Sequence, residues 1–348
     1  MLIGNLLFAI CFNRKIERGF RLRSSVLFIV FASLVWLTEG IAQDTTRMTK
    51  NDTLELIKKT RGAAKSTVFS GTALFESSGT ARRMSNIDQG QVEGKVVRKV
   101  VSMAKKHVID IYSDNVLRQY RPEEKVVIVS NVIRNGFPNL FSGDSDHILE
   151  HYSFVKGDDS TVSNIKAHSY EVVPKDKLRW KLKVWVERNT FLPVKVEYLD
   201  SQGTVIKREG FTNLVVSPKK VTVSDTVPDS KNWRRFFISK DESGMENSFY
   251  DEPVKGFKLV SCFDSTFYKP KKNSKDSVDQ NHCLFSDGVA HVSLVAFYEQ
   301  KPNEGFRVGN WTKGCSSFKS GIVSNKTVLS FGCVPKETVQ NFFSNSIR

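Results

Sequence analysis

The chain reads as an α+β protein made mostly of antiparallel β-strands, and three observations carry that reading. Trp180, Leu182, Val184 and Val186 alternate with Lys181, Lys183 and Glu187, the period of two that gives a strand one apolar and one polar face. Trp185 is the exception on the polar side. Asp200-Ser201-Gln202-Gly203 then separates two further β-rich runs, Pro193 to Tyr198 and Thr204 to Glu209, as a hairpin turn does. Helical patterning, by contrast, is confined to short pieces near the two ends.

The first piece is Asn51 to Lys59, with Asn51 or Asp52 placed to cap it. The run from Val68 to Phe75 follows as a strand, with Phe69, Gly71, Ala73 and Phe75 on one face. Lys95 to Met103, His107 to Tyr112 and Lys125 to Val129 are β-branched strands, the last two joined through Leu117 to Pro122. After the meander of residues 180–209, the polar segment 217–231 holds two prolines and reads as a linker. This divides the chain into a large domain over 43–216 and a small one over 232–348. The small domain has strands at Gly256 to Phe263, Cys283 to Phe285, Val289 to Tyr298 and Thr327 to Val334. It closes on a helix opening at Pro335, where proline is tolerated in the first turn.

Residues 1–42 stand apart as an export signal with an N-terminal extension. Arg14, Lys15, Arg18, Arg21 and Arg23 flank the apolar run Val26 to Leu37, and Gly40 and Ala42 follow at signal-peptidase spacing, which places cleavage after Ala42. The apolar run falls short of the roughly 20 residues that a membrane anchor needs. The whole chain carries +15. The leader holds five basic and two acidic residues, leaving +12 beyond Ala42. In an exported chain that charge points away from nucleic acid. It points toward phospholipid head groups, lipopolysaccharide phosphates or acidic protein segments, or simply toward a basic soluble surface. The stretch Lys269 to Lys275 is expected to be a solvated loop.

Beyond Cys11 in the leader, the cysteines are Cys262, Cys283, Cys315 and Cys333, an even set suited to an oxidising compartment. Cys315 and Cys333 lie equidistant from the turn-like Val323-Ser324-Asn325-Lys326, and Cys262 and Cys283 flank the loop around Lys272. Hairpin geometry therefore favours Cys262–Cys283 and Cys315–Cys333. There is no CxxC, so neither a thioredoxin-like site nor a zinc ribbon is supported.

Catalytic patterns are weak. His147-Ile148-Leu149-Glu150-His151 matches the H-x-x-E-H string of inverted zinc peptidases. The segment is short, however, and no third protein ligand is identifiable, so two partly exposed histidines are the preferred reading. No metal, cofactor or catalytic set is assigned, because P-loop, dinucleotide and G-x-S-x-G signatures are all missing. The chain is expected not to be an enzyme. The strand faces can instead bind. Phe69, Phe75, Ile111, Tyr120, Trp180, Val184, Val196 and Tyr198 are candidate walls of an apolar cavity, or else fill a core closed by the N-terminal helix.

Three stretches give the large domain a family resemblance: Val68 to Phe75, Val116 to Val129 with Tyr120 and Pro122, and Lys183 to Val194 continuing through Leu199, Asp200 and Gly203. Pro253 to Phe257, Phe285 to Ser293 and Gly332 to Val339 extend it through the small domain. Together these resemble the RseB/MucB family, periplasmic negative regulators of the sigma-E envelope-stress response. The resemblance implies a large domain like LolA and LolB, a half-open β-barrel plugged by helices, and a small mixed sheet-and-helix domain that contacts the partner. It implies binding to the periplasmic part of a membrane-spanning anti-sigma factor, protection of that factor from regulated proteolysis, and release by lipopolysaccharide or mislocalised lipoprotein. Phe285, Ser286, Asp287 and Gly288, the best-matched turn, are the candidate partner surface. The other reading is a periplasmic lipid or lipoprotein carrier, which would not need residues 232–348. The four small-domain cysteines and the His147–His151 string are not features of the family pattern.

Overall fold

A computed structural model describes residues 47–104, 107–131, 136–216, 223, 228–238, 252–268, 277–297, 308–323 and 326–345. The export signal, most of the expected linker, the Lys269 to Lys275 stretch and Ser324-Asn325 lie outside the described residues. Helix α1 (Lys50–Ser66) begins at a reciprocal cap. The Asp52 amide donates to the Thr49 hydroxyl at 3.2 Å, and that hydroxyl donates to the Asp52 carboxylate at 2.7 Å. The cap is thus Thr49 rather than Asn51 or Asp52, with Asp52 at the third helical position supplying the amide that Thr49 caps. The helix also runs past Lys59. Thr60, Ala63 and Ala64 continue the buried stripe begun by Thr53, Leu56 and Ile57.

Thirteen strands form the large sheet. In chain order they are β1 (Phe69–Ser77), β2 (Arg83–Val92), β3 (Lys95–Ser102), β4 (Ile109–Ser113), β5 (Val116–Arg121), β6 (Val126–Ser130), β7 (Tyr152–Lys156), β8 (Ser160–Val162), β9 (Ile165–Pro174), β10 (Lys181–Glu187), β11 (Pro193–Leu199), β12 (Val205–Val216) and β13 (Arg234–Ile238). The path runs β13-β6-β5-β4-β3-β2-β1-β12-β11-β10-β9-β7, with β8 on β9, and does not close into a barrel. The expected hairpin turn joins β11 and β12: Gly203 has φ +80°, and the Asp200 carboxylate accepts from the Gln202 and Thr204 amides, both at 2.9 Å.

Two readings of the sequence change here. Leu117 to Pro122 is mostly strand β5 rather than a connector, because Asp114 and Asn115 both take positive φ and turn the chain in two residues. Residues 234–238 pair in parallel with β6, so the chain makes one more pass along the large sheet before entering the small one.

The small sheet comprises β14 (Lys258–Tyr268), β15 (Ser277–Ser286), β16 (His291–Phe297), β17 (Gly309–Lys313), β18 (Ser316–Val323) and β19 (Lys326–Gly332), in the order β14-β15-β16-β19-β18-β17. A helix covers it, here numbered α3 (Lys336–Asn345), whose Phe342 packs against Phe257 and Phe285 at ring separations of 5.5 and 5.2 Å. Cys262 bridges Cys283 directly across the β14–β15 ladder, and Cys315 bridges Cys333 at the open end of the β18–β19 hairpin. Loops of this length suggest about 3 kcal/mol of stabilisation per bridge. Reduction should therefore lower the melting temperature of the small domain selectively. Coincident melting with and without reductant would show that the bridges contribute nothing.

On β11, Glu197 is nearly buried and accepts from Lys195 Nζ and Arg208 Nε, both at 2.8 Å. Burial alone would raise its pKa, but these hydrogen bonds outweigh burial and hold it below the usual 4.5. The ionised carboxylate stabilises the fold fully above its unfolded pKa. That contribution is lost as pH falls from about 4.5 through the lowered folded value. Acid titration of stability should show this loss, and Glu197→Gln should flatten it; an unchanged slope in the variant would refute the assignment.

Candidate interdomain site

Among the described residues, an extended polar network lies where the two sheets meet. Helix α2 (Ser145–His151) is a short segment capped by Asp144, whose carboxylate accepts from the Asp146 amide at 3.1 Å. It passes straight into β7, whose first residue, Tyr152, is buried. The segment between β9 and β10 supplies Asp176, Leu178 and Arg179. From the small domain come two turns, Val254 to Phe257 and Ser286 to Ala290.

Arg179 is the centre. Its side chain is fully buried, as is that of Asp287, and its Nε donates to the Asp287 carboxylate at 2.6 Å. A second guanidinium nitrogen bonds Asp176, and the third donates to the Lys255 carbonyl at 2.8 Å. The guanidinium also lies 4.6 Å from the centre of the Phe257 ring. Asp287 is equally saturated. One carboxylate oxygen takes Arg179 and the Tyr152 hydroxyl (2.8 Å), and the other takes the Val289 and Ala290 amides at 2.9 and 2.7 Å. Burial, with Asp287 adding to it, pushes the Tyr152 phenol well above its usual pKa, so it remains a donor.

Backbone contacts complete the seam. The Ser142 amide donates to the Gly288 carbonyl at 2.8 Å, Thr338 Oγ1 to the Leu178 carbonyl at 2.6 Å, and Trp180 Nε1 to the Cys315 carbonyl at 3.1 Å. Gly288 has φ +94°, and a Cβ there would sit 2.7 Å from Ile148 and 2.8 Å from the Ser142 carbonyl. Only glycine permits so close an approach.

The turn read as the candidate partner surface is buried within this chain. Phe285, Ser286, Asp287 and Gly288 do not face solvent; Phe285 and Asp287 are fully buried, and the turn grips the large domain of the same chain. His147 and His151, expected to be partly exposed, have side chains only 11% and 10% exposed. His147 Nε2 donates to the Gly256 carbonyl at 2.8 Å. Burial, then the positive Arg179, lowers the pKa of His151.

The eight candidate wall residues do not line one cavity. Phe69, Val184 and Val196 belong to the core that α1 covers, with Phe75 and Tyr198 packed at its margin. Tyr120 is buried on β5 and Ile111 half-buried on β4, outside that core, and Trp180 spends its indole N–H on the small domain. A cavity of about 270 Å³ opens instead between the sheets, walled by Leu182, Val196, Tyr198 and Lys207 on one side and Leu284 and Phe331 on the other. Burial pushes the Tyr198 phenol up to about 12. Burial also opposes the charge of Lys207, but Tyr198 and Glu209 outweigh it and raise its pKa.

A model of the MucB/RseB N-terminal domain matches residues 52–232, just over half of the chain. The chain belongs to the MucB/RseB family. The Sigma-E factor regulatory protein RseB of Haemophilus influenzae is 20% identical over 258 residues, covering 71% of this chain and 76% of the relative. Two solved structures share the fold across both domains of this MucB/RseB member. MucB in complex with MucA(peri) aligns with a TM-score of 0.60 at 17% identity, covering 83% of this chain and 96% of that one. The MucA/MucB complex of Pseudomonas aeruginosa aligns at 0.60 and 19% identity, with coverages of 85% and 98%.

In this MucB/RseB chain, Asp287→Ala would leave the Arg179 charge buried with one carboxylate partner fewer. It should cost roughly 3–5 kcal/mol in denaturant titrations, the range for breaking a buried ion pair. A loss below about 1 kcal/mol would mean that water already solvates the pair.

Proposed function

We propose that the chain acts in the periplasm by binding the periplasmic part of a membrane-spanning anti-sigma factor. By doing so it shields that partner from regulated proteolysis and holds the sigma factor inactive until lipid or mislocalised lipoprotein releases the block. The observation that carries this reading is the MucB/RseB family match over residues 52–232. The solved complexes of MucB with MucA support it, as does the export signal read from residues 1–42. The second sheet supports it as well, since a carrier would not need it. The cavity between the sheets places Lys207 beside Leu182, Val196 and Leu284, a lining suited to an amphiphile that joins an acyl chain to an anionic group.

The test is crosslinking of the tagged chain in intact cells, with recovered proteins identified by mass spectrometry. Dominant recovery of a single-pass membrane protein with a cytoplasmic sigma-binding domain is the expected result. The purified chain should then slow cleavage of that protein's periplasmic part, and lipopolysaccharide should reverse the delay. Recovery of many unrelated lipoproteins without such a partner would replace this reading with that of a carrier.

A further inference from the structure

We infer that His147, Glu150 and His151 form a binding site for a late first-row divalent cation, with zinc the preferred ion, that secures helix α2 against the small domain. The inference does not depend on the identity of the protein partner. Spacing alone did not favour a metal. The fold adds three things to it.

The first is convergence. One ligand atom from each residue lies within 4.8 Å of the others. His147 Nδ1 is 3.3 Å from a Glu150 carboxylate oxygen, and His151 Nε2 is 3.9 Å from the same oxygen. The imidazole rings meet edge to face, 5.0 Å apart at 77°. Small side-chain adjustments would bring all three atoms to the roughly 2.0–2.2 Å that zinc requires.

The second is the tautomer. The Gly256 carbonyl can only accept, so His147 Nε2, 2.8 Å away, must carry the hydrogen. In the neutral ring the Nδ1 lone pair then faces the Glu150 carboxylate, another acceptor. Such a pair needs a positive centre between its members, which is either a second ring proton or a metal ion. Metal-bound histidines commonly donate their other N–H to a backbone carbonyl in this way.

The third is the charge around the site. Arg179 faces His151 but is engaged by Asp176 and Asp287, and Lys175 Nζ is held by the Leu149 carbonyl at 2.6 Å. With Glu150, the three carboxylates outnumber the two nearby cations. The Glu150 side chain is 68% exposed, which leaves an entry route and room for a water ligand. Two imidazoles and one carboxylate suit zinc and its neighbours rather than magnesium or calcium, which prefer all-oxygen sites. Coordination of Nδ1 fixes the N–H that holds Gly256, so the ion would tighten the seam as it binds.

The experiment uses the chain beyond residue 42 without a polyhistidine tag, stripped with chelator, then titrated with zinc chloride by calorimetry and thermal melting. One zinc per chain, a rise in melting temperature and no response to magnesium are expected. Glu150→Gln changes an exposed side chain and should fold; it should weaken zinc binding about tenfold or more. His168→Gln, on β9 beside Asp159 and outside the three-residue cluster, should leave it unchanged. Absence of saturable binding would overturn the inference. So would binding that survives Glu150→Gln at full affinity, or binding that His168→Gln removes.

Discussion

The buried Arg179–Asp287 pair is the constraint on which the relation of the two sheets depends. Two charges withdrawn from water carry a penalty of several kcal/mol each unless every donor and acceptor is met. Here they are met from four separate stretches of chain: the β9–β10 connection, the start of β7, the turn before Phe257 and the turn after β15. Displacing any one of them strands a charge. The pair therefore fixes where α2, the small sheet and helix α3 must sit, including the Thr338 bond to Leu178.

Such a seam differs in kind from the cores on either side. The large core is aliphatic and aromatic, anchored by residues such as Ile57, Phe69 and Val196, and the small core is closed by Phe257, Phe285 and Phe342. Apolar contacts weaken gradually as surfaces part. A saturated ion pair in a dry setting does not, because partial separation leaves buried charge without full solvation. A partial parting of the two sheets would therefore strand these charges, so the pair resists small shifts of one sheet against the other.

Much of the sheet is legible in the sequence because its information is local. The alternation of Trp180 to Val186, the Asp200–Gly203 turn and the symmetry of the cysteines about their hairpins each depend on residues close in the chain. Strands β2 and β7 to β9 lack so clear a local signal. Polar side chains interrupt their apolar pattern, as Asp88, Gln89 and Gln91 do in β2, and Gln89 is buried with its amide donating to the Ala64 and Thr67 carbonyls and accepting from Arg98. The site shows the limit most clearly. The Ser286-Asp287-Gly288 turn is recognisable from turn chemistry, but its partner Arg179 lies 108 residues away. No local pattern reports that burial, so a turn that closes the protein on itself read as a surface for another chain.

The same distinction governs the His147–His151 string. As a linear motif it presupposes a long helix that would hold both imidazoles in place, and α2 has only seven residues. What holds the imidazoles is the small domain: Gly256 has φ +86°, and a Cβ there would come within 2.4 Å of His151 and 2.5 Å of Arg179. A side chain at that position would push the turn away and separate His147 from the carbonyl it bonds. The glycine required for domain contact is thus also the residue that sets the histidine tautomer. The bond that sets that tautomer joins the two domains, and it exists only while the Arg179–Asp287 seam is closed.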